Sequence, residues 1–330
     1  MSVVGDVIKE TEEADKPKPR RTSIHDGEGR LAFFLVAPTV VILGIVVGYP
    51  IVKAIYQSFL SDEGLTGAFF NKGGSWVGLA NYKHWLLQQC AAPGGGTVKC
   101  PPGSLASEFY SSVGITLGFT IVTVVLETCI GMVFALMMNR AFRGRALVRA
   151  SILIPWAIPT AVIAKLWGVV FDPQGVLNKI LGTNIQWTSS IWPARTAIVI
   201  ADVWKTTPFI ALLILAGLQG ISGDLYEAAK IDGASASQRF WKITLPLVKP
   251  ALGVAIIFRS LDVLRMYDLP YILTGGANGT QTLSILVVNQ LHSGINSASA
   301  LSTITFIFIF AIALLLVRLF HANLTAGARR

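Results

Sequence analysis

Arg259, Asp262, Arg265 and Asp268 recur every three residues inside a stretch that is otherwise mostly apolar. On a helix such residues are neighbours, so their opposite charges form a chain of i,i+3 pairs. Burying any one of them alone in hydrocarbon is expensive, whereas the set is neutral in sum. Two chemistries fit: a ladder that stiffens the segment and fixes contacts between subunits, or a polar face on which Arg265 or Asp268 meets the hydroxyls of a solute. Glu127 stands alone in another apolar block and needs a polar partner, for which Lys165 and Lys205 are the candidates. Trp156, Trp204, Tyr267, Tyr271, Asn289 and Gln290 supply the aromatic faces and amides that a cavity for a hydroxyl-rich, ring-shaped solute uses. An interfacial belt or lipid-facing packing is the competing reading for the Trp and Tyr residues.

Catalytic chemistry is not legible in the chain. The glycine cluster Gly275-Gly276-Ala277-Asn278-Gly279-Thr280 has no lysine to make a phosphate cradle, and there is no Gly-x-Ser-x-Gly elbow or His-Glu-x-x-His pair. The histidines at 25, 84, 292 and 321 are scattered, and no metal-ligand spacing occurs. No cofactor is therefore expected on the chain itself. Cys90 and Cys100 flank a Pro-Gly-Gly-Gly turn and are candidates for a disulfide in an oxidising compartment, while Cys129 reads as a small buried packing residue.

The elements that must hold these residues are membrane helices. The chain is 53% hydrophobic with mean hydropathy +0.61 and 14% charged residues, against about 25% charged in soluble domains. Six apolar spans are expected at about 32–56, 112–138, 147–170, 195–218, 250–273 and 298–321, the fifth being the weakest because charges interrupt it. Lys and Arg crowd the start of the chain, residues 140–149, residues 230–249 and the end, whereas the other side carries only Lys53, Lys72, Lys83, Lys99, Lys179 and Arg195. This bias predicts both termini in the cytoplasm of a multi-pass protein in the cell membrane. It also accounts for the net charge of +9 without a nucleic-acid partner. Residues 1–30 and 322–330 read as cytoplasmic tails, the first disordered; 31–321 form the membrane domain, with an external loop at 57–111. Leu31 opens a block too long for a signal peptide, so the first span is expected to stay attached. Leu283–Leu291 is short and apolar, and is expected at the outer interface or leading into the sixth span.

The polar loop at 221–249 decides between energy sources. Asp224 to Lys230 can form a short helix, Gly233 a sharp turn, and Ala234 to Ile243 a second short helix ended at Leu245-Pro246. Ala228, Ala229, Ala234 and Ala236 permit close approach of a partner surface, Glu227, Asp232, Arg239 and Lys242 can set its register by ion pairs, and Phe240 and Trp241 offer rigid apolar area. An amphipathic interfacial helix is the plain alternative.

The spacing Glu227-Ala228-Ala229, three residues, Gly233, nine residues, Ile243-Thr244-Leu245-Pro246 resembles the coupling loop of the inner-membrane permeases of binding-protein-dependent ABC importers. Val77-Gly78-Leu79-Ala80-Asn81-Tyr82, Ile152-Leu153-Ile154-Pro155-Trp156, Phe171-Asp172-Pro173-Gln174-Gly175 and Tyr267-Asp268-Leu269-Pro270-Tyr271 are similar to the branch carrying maltose, trehalose, glycerol phosphate and related solutes. Ala277 and Asn278 depart from that branch's usual Gly-Pro, which bears on loop shape. Val203 to Phe209, Asp232 to Ala236, Phe258 to Asp262 and Thr274 to Asn278 are most similar to trehalose-carrying members from actinobacteria.

The resemblance covers about residues 31–321 and implies an all-α membrane protein with the six-helix type I importer fold and cytoplasmic coupling helices between spans four and five. It implies a disaccharide as cargo, trehalose before maltose or a maltodextrin. It also implies partners: a second, homologous permease, two copies of an ATPase holding ATP and magnesium, and an extracytoplasmic sugar-binding protein, a lipoprotein if the chain is actinobacterial. Coupling would fall to Glu227, Ala228, Ala229, Asp232, Gly233, Arg239, Ile243, Leu245 and Pro246. Two other classes stay open on the residues alone. An ion-coupled transporter could use Glu127 and the charged ladder as a relay but usually shows internal repeats, which are not found. A membrane-embedded enzyme would need a clustered acid, base or metal set.

Overall fold

A computed structural model describes residues 24–62, 74–92 and 96–327. Most of the expected amino-terminal tail, parts of the external loop and the last three residues of the carboxyl-terminal tail lie outside the described residues. The chain divides into two compact units between Lys53 and Ala54. The first unit holds α1 (Ile24–Leu43), a π turn over Gly44–Gly48 and the start of α2 (Tyr49–Gln57). Leu31–Gln57 is an apolar stretch of 27 residues, enough to cross about 30 Å of hydrocarbon. Its Phe33, Phe34, Ile45 and Val52 side chains are exposed.

The second unit opens with α3 (Ala80–Leu86) and a small antiparallel hairpin, β1 (Gln89–Ala91) and β2 (Thr97–Lys99), with Cys90 opposite Val98. A disulfide joins Cys90 to Cys100 just beyond the hairpin. Then come α4 (Phe109–Asn139), α5 (Arg145–Ala157), α6 (Thr160–Val170), α7 (Val176–Leu181) and α8 (Ile191–Gln219). The short α9 (Gly223–Ile231) and α10 (Ala236–Arg239) precede α11 (Leu245–Val263), α12 (Asp268–Thr274), α13 (Leu283–Leu291) and α14 (Ile295–Gly327). Among the described residues five helices are long and apolar enough to cross a membrane, or six when the bent pair α5–α6 counts as one.

The core forms where small residues let helices approach. Ala194, Ala197, Ala201 and Ala211 line the buried side of α8, and a Cβ added at Gly131 of α4 would come within 2.9 Å of Ile210. Phe119, Phe171, Ile198, Val263 and Leu269 make one buried cluster, and Met132, Met138, Ile214 and Val248 another. A third, around Trp85, Phe109, Leu286 and Leu301, anchors α3 to α4, α13 and α14. Hydroxyls inside these apolar helices bond back along their own backbone, as Thr116, Thr120 and Thr123 do to the carbonyls four residues earlier.

Several expectations need correction. The third span is not straight: Ile158 is extended before Pro159, which disfavours helix at the preceding residue, and α5 and α6 meet at 95°. The fifth does not run through 250–273; α11 begins at Leu245, ends at Val263, and α12 starts afresh at Asp268. The second short helix does not stop at Leu245-Pro246. A π turn over Phe240–Thr244 carries it straight into α11, the looser ladder accommodating Pro246, which has no N–H to give. Cys129 is exposed rather than buried, because α4 turns Glu127 and Gly131 inward and Cys129 away. Leu283–Leu291 leads into the long helix α14, one of the two places expected for it, with Leu283, Ile285 and Leu286 buried against protein.

Candidate functional site

Arg259 on α11 is 2% exposed, and three carboxylates surround its guanidinium. Nε donates to Glu127 Oε2 at 2.6 Å and Nη2 to Glu127 Oε1 at 3.0 Å, a two-pronged contact to α4. Nη2 also donates to Asp202 on α8, and Nη1 to Asp262 one turn along α11. The Thr206 hydroxyl lies 2.6 Å from both Glu127 Oε1 and the Asp202 carbonyl oxygen, tying α8 to the same carboxylate. Three helices are thus pinned at one guanidinium, whose planar fork can meet several acceptors at once.

This arrangement corrects the sequence reading in two places. Glu127 pairs with neither Lys165 nor Lys205; a point-like ammonium could not meet both its oxygens as the fork does. Lys165 is exposed on α6, away from the cluster. The four-residue ladder also dissolves beyond its first rung. Asp262 pairs with Arg259, but α11 ends at Val263, so Arg265 bonds only the Leu261 carbonyl, at 3.4 Å, and Asp268 begins a new helix. Asp202 and Thr206 were missed. Asp202 carried a signal that could have found it, a lone carboxylate in the fourth apolar block.

The cluster opens onto a polar cleft of about 330 Å³. Lys205, Asp262, Arg265, Tyr267 and Asp268 line it together with Thr160 at the start of α6. Tyr267 stacks on Tyr271 with ring centroids 5.0 Å apart, which gives the cleft an aromatic margin. Other expected contacts lie elsewhere. Trp156 stacks on Phe209 at 6.0 Å, and Trp204 meets Trp167 edge-on at 5.7 Å while lining a separate apolar groove with Pro155 and Pro208. Asn289 is half-buried on α13, and Gln290 lines a cavity beside the hairpin. His84 sits against that hairpin with Cys90 and Cys100, whose bonded sulfurs offer no thiolate to a metal.

The loop between α8 and α11 is braced from within. Ser222 caps α9, Ser235 and Gln238 form a reciprocal capping box on α10, and Gly233 takes φ +75°, a left-handed conformation that glycine adopts freely. The Tyr226 and Thr244 hydroxyls are 3.0 Å apart, joining α9 to the π turn. Arg239 Nη1 donates to the Ala234 carbonyl at 2.7 Å, so this residue braces the turn. Ile243 and Leu245 are half-buried at the root of the loop, and Pro246 is exposed. Glu227, Ala228, Asp232 and Gly233 are exposed, Ala229 is half-buried, and Ile231 is 87% exposed, a large apolar side chain on a polar loop.

Residues 127–330 match the family described as the binding-protein-dependent transport system inner membrane component. The chain is 39% identical to the trehalose/maltose transport system permease protein MalF of Thermococcus litoralis, over 86% of this chain and 91% of that one. It is 36% identical to the trehalose transport system permease protein SugA of Mycobacterium tuberculosis, over 93% and 94%, and 35% identical to the sulfoquinovosyl glycerol transport system permease protein SmoG of Agrobacterium fabrum, over 87% and 90%. A chain of a bacterial alginate ABC transporter, solved in complex with alginate pentasaccharide-bound periplasmic protein, shares the fold with TM-score 0.69 at 20% identity, over 90% of this chain and 96% of that one. Family, length and helix pattern agree: the chain belongs to the inner-membrane components of binding-protein-dependent transport systems, as a non-catalytic, multi-pass subunit.

Proposed function

We propose that this chain is a membrane-spanning subunit of an ATP-driven importer that carries a disaccharide, trehalose first and maltose or a maltodextrin second, into the cell by alternating access. The names of the relatives from Thermococcus litoralis and Mycobacterium tuberculosis support that choice of cargo. In this reading α5 and α6 together make one of six spans, both termini are cytoplasmic, and the 58–104 segment faces outward. The braced segment from Gly223 to Thr244 then faces the cytoplasm and docks on the ATPase, which holds ATP and magnesium. A second, homologous permease completes the path, one ATPase sits under each, and an extracytoplasmic binding protein delivers the sugar.

The single observation that carries the coupling reading is the exposure of Ile231 on a loop whose own hydrogen bonds hold it rigid. A rigid polar surface presenting a few large apolar side chains, Ile231 the most exposed with Leu225 and Trp241 beside it in the same segment, is the anatomy of a protein contact with an apolar anchor. The cleft beside Arg259 is the proposed sugar contact in this subunit, with Lys205, Asp262, Arg265 and Asp268 as hydroxyl partners and Tyr267 as the ring surface. The test is uptake of labelled trehalose and maltose into vesicles holding this chain with its co-purifying subunits. ATP-dependent uptake that is lost both with Gly233→Val and with an ATPase-dead partner supports the proposal. Uptake that persists with Gly233→Val removes the loop from coupling, and uptake driven by an ion gradient without ATPase removes the importer reading.

A further inference from the structure

Gln290, at the end of α13, is 8% exposed, yet its side-chain amide makes no hydrogen bond with any described residue. The amide keeps access to solvent and so faces open space, with its donors and acceptor free to meet a ligand or water. It lines a cavity of about 730 Å³ that is distinct from the cleft beside Arg259 and shares no lining residue with it. That size lies within the roughly 300–1,000 Å³ of small-molecule sites.

The cavity is built by the elements that join the 58–104 segment to the last helix. Both oxygens of Asp62 accept backbone N–H groups at the start of α14, from Asn296 at 2.7 Å and Ser297 at 2.8 Å. Asn81 Nδ2 donates to the Ser58 and Leu60 carbonyls at 2.9 and 2.8 Å. His84 Nδ1 is 2.7 Å from the Gln89 carbonyl oxygen, which can only accept, so Nδ1 donates. These bonds fix the walls and leave Gln290, Gln89 and Lys83 with polar groups to offer.

The chemistry of the lining selects the ligand. Asp62 and Lys83 bring opposite charges to the lining, and both Asp62 oxygens are already taken by backbone N–H groups. Side-chain amides both donate and accept, which matches a hydroxyl group and does not favour a phosphate or a carboxylate. We infer that this cavity is a second saccharide site, which receives a hydroxyl-rich sugar through Gln290 and Gln89 on the face opposite the α9–α10 loop. The inference rests on the topology proposed above, which makes that face the outer one.

The test uses the assembled complex of this chain with its co-purifying subunits in lipid nanodiscs, which leave both faces open, so an error in the topology would not hide binding. Trehalose is the probe, and amide hydrogen exchange at β1 and β2 is the readout. Saturating trehalose is expected to slow exchange of the hairpin at least threefold. Gln290→Leu, which removes the amide, and Thr97→Trp, which fills the cavity from an exposed position on β2, should each abolish that protection. Lys205→Met, in the cleft beside Arg259, should leave it intact whether or not that cleft carries sugar. Absence of protection by trehalose overturns the inference, as does protection that survives both cavity variants. Protection produced by the extracytoplasmic binding protein alone, and not by sugar, would make the cavity a protein-docking socket and would equally overturn it.

Discussion

The guanidinium of Arg259 holds the Glu127 carboxylate by two nitrogens, at 2.6 and 3.0 Å, across 132 residues of sequence. Both side chains are buried, at 2% and 0% exposure. Contacts of this kind do not arise from local sequence, and their loss leaves a charge stranded in a poorly solvated interior.

Removing the arginine should therefore hurt more than removing any one acid. Arg259→Ala leaves Glu127 and Asp202 facing each other, and a cost of about 3–5 kcal/mol is expected from breaking a buried pair. Arg259→Lys should recover little of it, because an ammonium cannot reproduce the fork. Thermal unfolding of the complex in detergent checks this. An Arg259→Lys variant as stable as the unaltered chain would show that charge alone, without the two-pronged geometry, is what the site needs.

Ile231 is expected to matter for assembly and not for folding. Ile231→Asp should leave the unfolding midpoint unchanged, since the side chain is 87% exposed. It should, however, reduce recovery of the ATPase with the chain by an order of magnitude or more, as loss of a central anchor of 2 kcal/mol or so implies. Quantitative co-purification reads the outcome directly.

Tyr226→Phe removes the hydroxyl that meets Thr244 and nothing else of size. A loss of about 0.5–1.5 kcal/mol is expected locally. Hydrogen exchange of the α9 amides should quicken several-fold while exchange in α8 and α11 stays unchanged. Uniform acceleration across all three helices would mean that the hydroxyl pair supports the whole bundle.

In the cleft beside Arg259, Lys205→Met should raise the sugar concentration needed for half-maximal uptake by roughly 2–10-fold, the worth of one hydrogen bond to a neutral ligand. The maximal rate should change less. Uptake assays across a range of sugar concentrations separate the two effects, and a fall in maximal rate alone would assign Lys205 to the gate.

The thiols give a test of the disulfide. In the denatured chain a maleimide should label Cys129 alone, whereas Cys90 and Cys100 should react only after reduction. Mass spectrometry of the labelled chain distinguishes one modified cysteine from three.

The long apolar helices were legible because length and hydropathy are additive properties of a segment. So was the turn at Gly233, where a glycine between two helix-forming runs has few other uses. The bends were less so. Pro155 and Pro159 were visible, but the 95° angle depends on Ile158 being driven extended, which the apolar pattern does not encode. The charged ladder misled because i,i+3 spacing is meaningful only while the helix lasts, and α11 stops at Val263. Partners of Glu127 lie on other helices, so composition could say that one was required but not which. Gln290 shows the same limit from the other side: its residue type was noticed, yet it faces a different cavity from Tyr267 and Asp268.

From Ala236 to Val263 the backbone stays helical for 28 residues, with the π turn and Pro250 inside it. At 1.5 Å per residue this is a strut of roughly 40 Å. One end carries the braced loop and the other carries Arg259 and Asp262. A tilt imposed at Ala236 reaches the carboxylates of Glu127 and Asp202 along this helix, less whatever bend the π turn and Pro250 take up.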